Sequence, residues 1–406
     1  MIVGDSKAPT GDSMRIVLTV IAGPHKGREF SFDRHDTFLV GRSKHTHFQL
    51  PAKDRYFSRI HFMMEVNPPA CRLIDMGSHN GTYVNGVQVL TADLREGDQI
   101  RAGHTVLRVH VQRDALSAVP RVQAPTEAGA DLPMVPGFIL ERELGRGALG
   151  VTYLGQRVGA KSSLAVKVVK PSFAGSATQV ELFLRTARTL TQLEHPHIVR
   201  LREVGACADG FYFAAEFVPG WSAVEIVKRD GPLAIPRAVR WGCQMLDALQ
   251  YAHARHFIHH DIKPTNVLVA LVDGVEKALL ADFGLARVYQ AAPFSGLNLT
   301  AAMIERASFM PPELLFNYQN VKPLADQYSI AAVLYHLLTA DQPLEMPHEP
   351  RRRFTSLLRR QCVPIGERRA DVPPGLANVI HKALSRTPSQ RFASSAEFRL
   401  ALAAVH

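Results

Sequence analysis

Between residues 14 and 112 the apolar residues fall in short runs, each closed by Gly, Asn, Asp or Pro. "RIVLTVIAG" and "REFSFD" flank a turn that holds Gly23 and Pro24, and "TFLVG", "RIHFMMEV", "CRLIDMG", "TYVNGVQV" and "TVLRVHV" follow. Runs of this length, punctuated in this way, predict strands, and a succession of them predicts an all-β sandwich. Residues 113–136 lose the pattern: they hold four prolines, many alanines and no aromatic residue, the composition of a linker. From residue 137 the pattern returns in another form. "FILERELGRGALGVTYLGQRV" and "SLAVKVVK" read as strands, and helical spacing then takes over. In "IPRAVRWGCQMLDALQYAHARH", Val239, Cys243, Leu246, Leu249 and Ala252 recur at steps of three and four, and Pro236 suits a first helical position. A strand-rich start followed by a helix-rich remainder predicts a two-lobed α+β domain over 137–406.

Composition changes this picture little. The chain has 406 residues, 46% of them apolar and 21% charged, which fits two or three globular domains. The net charge of +10 favours anionic partners such as nucleotide phosphates or phosphopeptides, beside the plain reading of a solvated basic surface. The longest basic run, "EPRRRFTSLLRRQ", has the spacing of an exposed helix face, and no nucleic acid is expected as a partner. Cys71, Cys207, Cys243 and Cys362 are far apart and form no CxxC pair, which argues against a zinc or disulfide framework and fits a reducing compartment. No apolar run is long enough to span a membrane and no signal pattern opens the chain, so a cytoplasmic protein is expected.

The stretch "FIHHDIKPTN" is preceded by "YAHARH", which crowds His253, His256, His259 and His260 together. His253, His256 and His259 lie three apart, a zinc-like hint if one continuous helix ran through them, but the helix should end near Phe257. No carboxylate or cysteine joins them at ligand spacing, however. Asp261, Lys263 and Asn266 in "HHDIKPTN" support a different reading: the stretch resembles the catalytic loop of the protein kinase family, H-R-D-x-K-P-x-N. The remaining pieces of that family's set follow in order. They are Gly145, Gly147 and Gly150 in "LGRGALGVTY", Lys167 in "AVKVV", Asp282 in "ADFGLA", Glu313 in "MPPE", Asp326 in "ADQYS" and Arg391 in "QRF".

The resemblance implies ATP and Mg²⁺ as cofactors and assigns roles. The glycines would let backbone close over phosphates, Lys167 would contact the α- and β-phosphates, and Asp282 and Asn266 would hold metal. Asp261 would accept the proton of the substrate hydroxyl, and Lys263 would neutralise charge at the transferred phosphoryl, as in the serine/threonine branch. His259 would be a packing and hydrogen-bonding residue. "YFAAEFV" resembles the hinge, with Glu216 and Phe217 offering backbone to adenine and Ala215 leaving the pocket behind the nucleotide open.

Three departures matter. His260 stands where the family has the arginine that meets a phosphorylated activation loop. Thr186 stands where the helix after Lys167 should carry a glutamate, and Glu181 lies about 140° away round that helix. Arg306 stands where a threonine should lie near Asp261; Ser308 would serve only if the loop shifts. Ser295, Thr300 and Ser308 are candidate phosphorylation sites. Without its glutamate, Lys167 is expected either to lean on Asp282, in competition with Mg²⁺, or to depend on a partner's charge. A slow kinase is expected, with a nucleotide-binding pseudokinase scaffold as the alternative. Restoring the carboxylate with Thr186→Glu is expected to raise turnover, measured as initial rate against ATP concentration.

The first domain carries a second resemblance. Gly41-Arg42 in "FLVGRS", Ser58-Arg59-x-His61 in "YFSRIHF", and Asn80-Gly81-Thr82-x-Val84-Asn85-Gly86 resemble the forkhead-associated (FHA) family, whose β-sandwich binds phosphothreonine peptides through its loops. The match runs over about residues 16–112. It implies that Arg42, Ser58 and Arg59 bind the phosphate, that Asn80 holds the peptide backbone, and that His61 is structural. The implied partners are phosphothreonine proteins or the chain's own phosphorylated segments, with Thr10, Thr126 and Thr300 as candidates, besides the protein substrates of the kinase.

Overall fold

The computed structural model describes residues 15–33, 36–44, 46–51, 56–112, 132–147, 150–170, 177–208, 210–285, 288, 308–315, 321–345 and 361–405. The chain divides into two compact units, Met1–Gln123 and Ala124–His406.

The first unit is a sandwich of two sheets. One has the order β2-β1-β11-β10-β7-β8 and the other β4-β3-β5-β6-β9. In the first sheet β1 (Arg15–Ala22) pairs antiparallel with β2 (Glu29–Phe32) and β11 (Thr105–Gln112), followed by β10 (Gln99–Ala102), β7 (Thr82–Val84) and β8 (Val87–Val89). The second holds β3 (Asp36–Gly41), β4 (Phe48–Gln49), β5 (Phe62–Asn67), β6 (Ala70–Asp75) and β9 (Thr91–Leu94). Along β11, Thr105, Leu107 and Val109 are fully buried and alternate with Val106, Arg108 and His110, the two-residue period of a strand with one face in the core. That core joins Ile16, Leu18 and Val20 to Val40, Phe62 and Leu73. The run "TYVNGVQV", expected as one strand, is a hairpin. Asn85 (φ 50°) and Gly86 (φ 83°) take left-handed conformations and turn β7 back onto β8.

The second unit starts with a five-stranded sheet of order β12-β13-β14-β16-β15. Its strands are β12 (Phe138–Gly147), β13 (Gly150–Arg157), β14 (Ser163–Val169), β15 (Leu201–Cys207) and β16 (Gly210–Glu216). Helix α1 (Ala177–Arg188) packs Phe183 and Ala187 against Phe211 and Phe213 of this sheet. The rest is mainly helical: α2 (Ala223–Asp230), α3 (Ile235–His253), α4 (Leu324–Thr339), α5 (Ile365–Arg368), α6 (Pro374–Ala383) and α7 (Ser395–Ala403). A three-stranded sheet, β17 (Gly220–Ser222), β18 (Val267–Val272) and β19 (Val275–Leu280), lies among them. The apolar face of α3 (Val239, Leu246, Leu249, Ala252) meets the almost wholly buried α4. The helix ends at His253, short of the expected Phe257, because the Phe257 N–H turns back to the Ala252 carbonyl and His256 adopts φ 64°.

Burial holds the imidazoles of His195, His197, His259, His336 and His381 below their ordinary range. Once unfolded, each returns to about 6.5. Below that pH the unfolded chain therefore binds protons that the folded chain refuses, and stability falls with pH. The melting transition of this unit in the full chain is expected to hold from pH 7.5 to about 6.5 and to drop from there to pH 5.5. A transition that holds its temperature over that range would contradict the burial of neutral imidazoles.

Candidate active site and phosphopeptide surface

Gly150 opens β13 with φ 150°, and a Cβ there would stand 2.1 Å from the Val168 carbonyl oxygen. Only glycine permits that approach. Val151 pairs with Val168 and Thr152 with Lys167, so β13 lies in register with the lysine strand. Gly147 is the ladder partner of Gly150.

Lys167 Nζ reaches across to Asp282 Oδ2 at 2.5 Å, with the two side chains 13% and 28% exposed. Of the two outcomes expected for Lys167, this is the first. Thr186 is exposed on α1, and its hydroxyl donates to the Leu182 carbonyl of its own helix at 2.9 Å, so it plays no part in anchoring the lysine. Glu181 is exposed as well.

The catalytic loop is built around Asp326, an acid at the start of the apolar helix α4. Its carboxylate accepts the backbone N–H of His259 (2.9 Å) and of His260 (3.1 Å), and His253 Nε2 lies 2.8 Å away. Burial alone pushes the Asp326 carboxyl up, but the bond and charge of His253 outweigh it and hold the group below the carboxylate range. His260 takes φ 66° and Asp282 φ 58°, both in the left-handed region. His259 is fully buried, its ring 4.6 Å from that of Phe283, and its Nδ1 accepts the Asp261 N–H at 3.3 Å. Asn266 Nδ2 donates to the Asp261 carbonyl (2.9 Å) and to Asp261 Oδ2 (3.2 Å), and Lys263 Nζ stands 3.7 Å from the same Oδ2. The histidines thus have structural work: His253 also meets Ser395 at 3.3 Å.

A hard divalent cation takes oxygen donors. The Asp282 carboxylate supplies one. The Asn266 amide supplies another, since its nitrogen is committed to Asp261. Among the described residues no group of three or more His, Cys, Asp or Glu could cage a metal. The donor set therefore fits Mg²⁺, which keeps phosphate and water ligands.

At the end of β16 the Glu216 N–H donates to the Arg200 carbonyl and its side chain pairs with Arg202. Ala215 packs against the sheet core beside it. Arg391, its side chain fully buried, holds Glu313 through two bonds of 2.6 and 2.8 Å. Ser308 is buried and its hydroxyl donates to Gln342. Arg306, Ser295, Thr300, Thr10, Thr126 and His45 lie outside the described residues.

In the sandwich the loops converge. A Cβ at Gly41 would stand 2.4 Å from the Arg59 carbonyl oxygen, and that close approach brings the Arg42 and Ser43 N–H groups onto the Ser58 (3.1 Å) and Arg59 (2.8 Å) carbonyls. Arg42 Nε donates to the Phe57 carbonyl. Ser58 Oγ accepts the His79 N–H at 3.0 Å, which leaves the hydroxyl proton for a phosphate oxygen. Asn80 Nδ2 donates to the Tyr56 carbonyl at 3.0 Å. Arg42, Ser58, Arg59 and Asn80 thus gather on one surface. His61 is fully buried beneath it, its Nδ1 accepting the Ser58 N–H (3.2 Å) and its Nε2 meeting the Gly81 carbonyl (3.1 Å). Asp75 was not singled out from the sequence. It binds the Ser78 N–H and hydroxyl and the Thr82 hydroxyl within 2.8 Å and sets the loop that carries Asn80.

Comparison with known proteins bears out both resemblances. The protein kinase domain model matches residues 138–400 and the FHA domain model residues 38–103. Serine/threonine-protein kinase PknB of Mycolicibacterium smegmatis is 32% identical over 267 residues, 65% of this chain and 42% of that protein. PknD of Mycobacterium tuberculosis is 33% identical over 264 residues, 65% of this chain and 39% of that protein. The match therefore spans about two fifths of the length of these relatives. The crystal structure of the Mycobacterium tuberculosis PknI kinase domain is 27% identical, with a TM-score of 0.53, and the match covers 69% of this chain and 100% of that one. Rad53 1–466, solved in complex with AMP-PNP, is 20% identical with a TM-score of 0.54, covering 95% and 98% of the two chains; that likeness is one of fold. The kinase match takes in well over half of the sequence, and the chain belongs to the protein kinase family, with an FHA domain ahead of its kinase domain.

Proposed function

We propose that the chain is an ATP-dependent serine/threonine protein kinase whose N-terminal sandwich reads phosphothreonine peptides. One observation carries the first half: Lys167 from the sheet meets Asp282 at 2.5 Å, in the same unit where Asn266 bonds Asp261 at 2.9 and 3.2 Å. Mg²⁺, when bound by Asp282 and Asn266, supplies positive charge against the phosphates. The residues do the rest. Asp261 accepts the proton of a Ser or Thr hydroxyl as its oxygen bonds to the γ-phosphorus. The bond to the β–γ bridging oxygen breaks and ADP leaves. Lys263, beside Asp261, balances charge on the transferred group, and Lys167 holds the remaining phosphates.

The four cysteines are free thiols, which supports a reducing, cytoplasmic setting. No helix among the described residues is long and apolar enough to cross a membrane. The FHA surface directs the kinase to phosphothreonine proteins or to its own phosphorylated segments.

A second reading has one observation in its favour. With Thr186 on the surface and bonded to its own helix, no helix acid among the described residues stands by Lys167, and the chain would bind nucleotide and serve as a pseudokinase scaffold. Labelled ATP and a generic acceptor protein separate the two. Phosphate on serine or threonine supports the kinase, and nucleotide binding without transfer supports the scaffold.

A further inference from the structure

Resting on the kinase reading, we infer that Asp282 is the positioning residue for Lys167 in place of the missing helix acid, so that one carboxylate serves both the lysine and the metal. A lysine on a flexible four-carbon stem needs an anchor to stay at a phosphate site. Three side chains are candidates. Thr186 spends its hydroxyl on Leu182, and Glu181 is exposed on the same helix. Asp282 alone, among the described residues, stands within ion-pair distance of Lys167. Asp282 is at the same time the carboxylate that fits the metal.

The two duties compete, because a cation on the carboxylate repels the Lys167 ammonium bonded to its Oδ2. Without metal, Asp282 keeps Lys167 and sets its own negative charge beside the place of the phosphates. When a cation takes the carboxylate, Asp282 releases Lys167 to the phosphates in the same exchange. Metal and nucleotide therefore bind with a coupling that passes through Lys167, beyond the direct bridging of phosphates by the ion.

Removing the charge of Asp282 in the absence of metal separates these contributions. Asparagine suits the test, because it tolerates the φ of 58° found at this position. ATP binding is measured by calorimetry in EDTA for the full chain, for Asp282→Asn, for Lys167→Met, and for the double variant. Lys167→Gln serves as a second lysine variant should the first fail to fold. Asp282→Asn is expected to bind metal-free ATP about tenfold more tightly than the wild type, because Lys167 is freed. In the Lys167→Met or Lys167→Gln background the same change should gain about twofold or less, the part due to charge removal alone. Equal gains with and without Lys167 would overturn the inference and leave the kinase reading standing. If the wild type bound no ATP even with Mg²⁺, the kinase reading would fall and this inference with it.

Discussion

Replacing Asp261 by asparagine is expected to lower the rate of phosphoryl transfer by about 10²–10⁴-fold, the usual contribution of a positioned general base. The side chain is only 7% exposed and fixed from several sides. Asn266 bonds both its carbonyl and its carboxylate, and His259 takes its N–H. Asparagine has nearly the same shape and keeps an oxygen for the Asn266 amide, so the loop should hold. What is lost is the capacity to take a proton. ATP affinity should stay close to that of the wild type, because the resemblance places Asp261 at the hydroxyl rather than at the nucleotide. Initial rates and calorimetric ATP titration check both halves, and wild-type turnover in the variant would remove Asp261 from the base role.

Truncating Arg42 to alanine should weaken phosphothreonine-peptide binding by about 2–3 kcal/mol, roughly 30- to 150-fold in Kd, since a charge-assisted hydrogen bond to phosphate is lost. Its Nε is already fixed by the Phe57 carbonyl, so the guanidinium reaches a ligand with little freedom left to lose. The same truncation should leave binding of unphosphorylated peptide where it was. Pulldown from a peptide library by the full chain, with and without phosphate, measures the difference. Equal recovery of both forms by the wild type would deny the sandwich its reading role.

Much of both sites was legible because each motif is local. The loop from Asp261 to Asn266 closes on itself, and Gly41 with Arg42 and Ser58 with Arg59 meet through paired backbone bonds. Helix α3 was legible because its period is that of a helix with one buried face. Strands β9 and β10 were not, because "TADLREGDQIRA" shows mostly polar side chains; Leu94, Ile100 and Ala102 are buried in the core and Ala92 packs against it. The hairpin at Asn85-Gly86 carried its turn signal in plain sight, but the apolar residues on both sides read as one run. The bond between Lys167 and Asp282 spans 115 positions, and no period or spacing could choose it over a partner's charge. Asp326 was visible as a family residue, yet its work as the acceptor for the His259 and His260 amides follows only from how α4 packs under the loop.

The central claim is tested most directly by mass spectrometry of the full chain, and of an added acceptor protein, after incubation with Mg-ATP. The wild type should place phosphate on serine and threonine residues, and Asp261→Asn, incubated in parallel, should leave them bare. A wild type that binds ATP yet transfers phosphate to neither itself nor the acceptor would contradict the account.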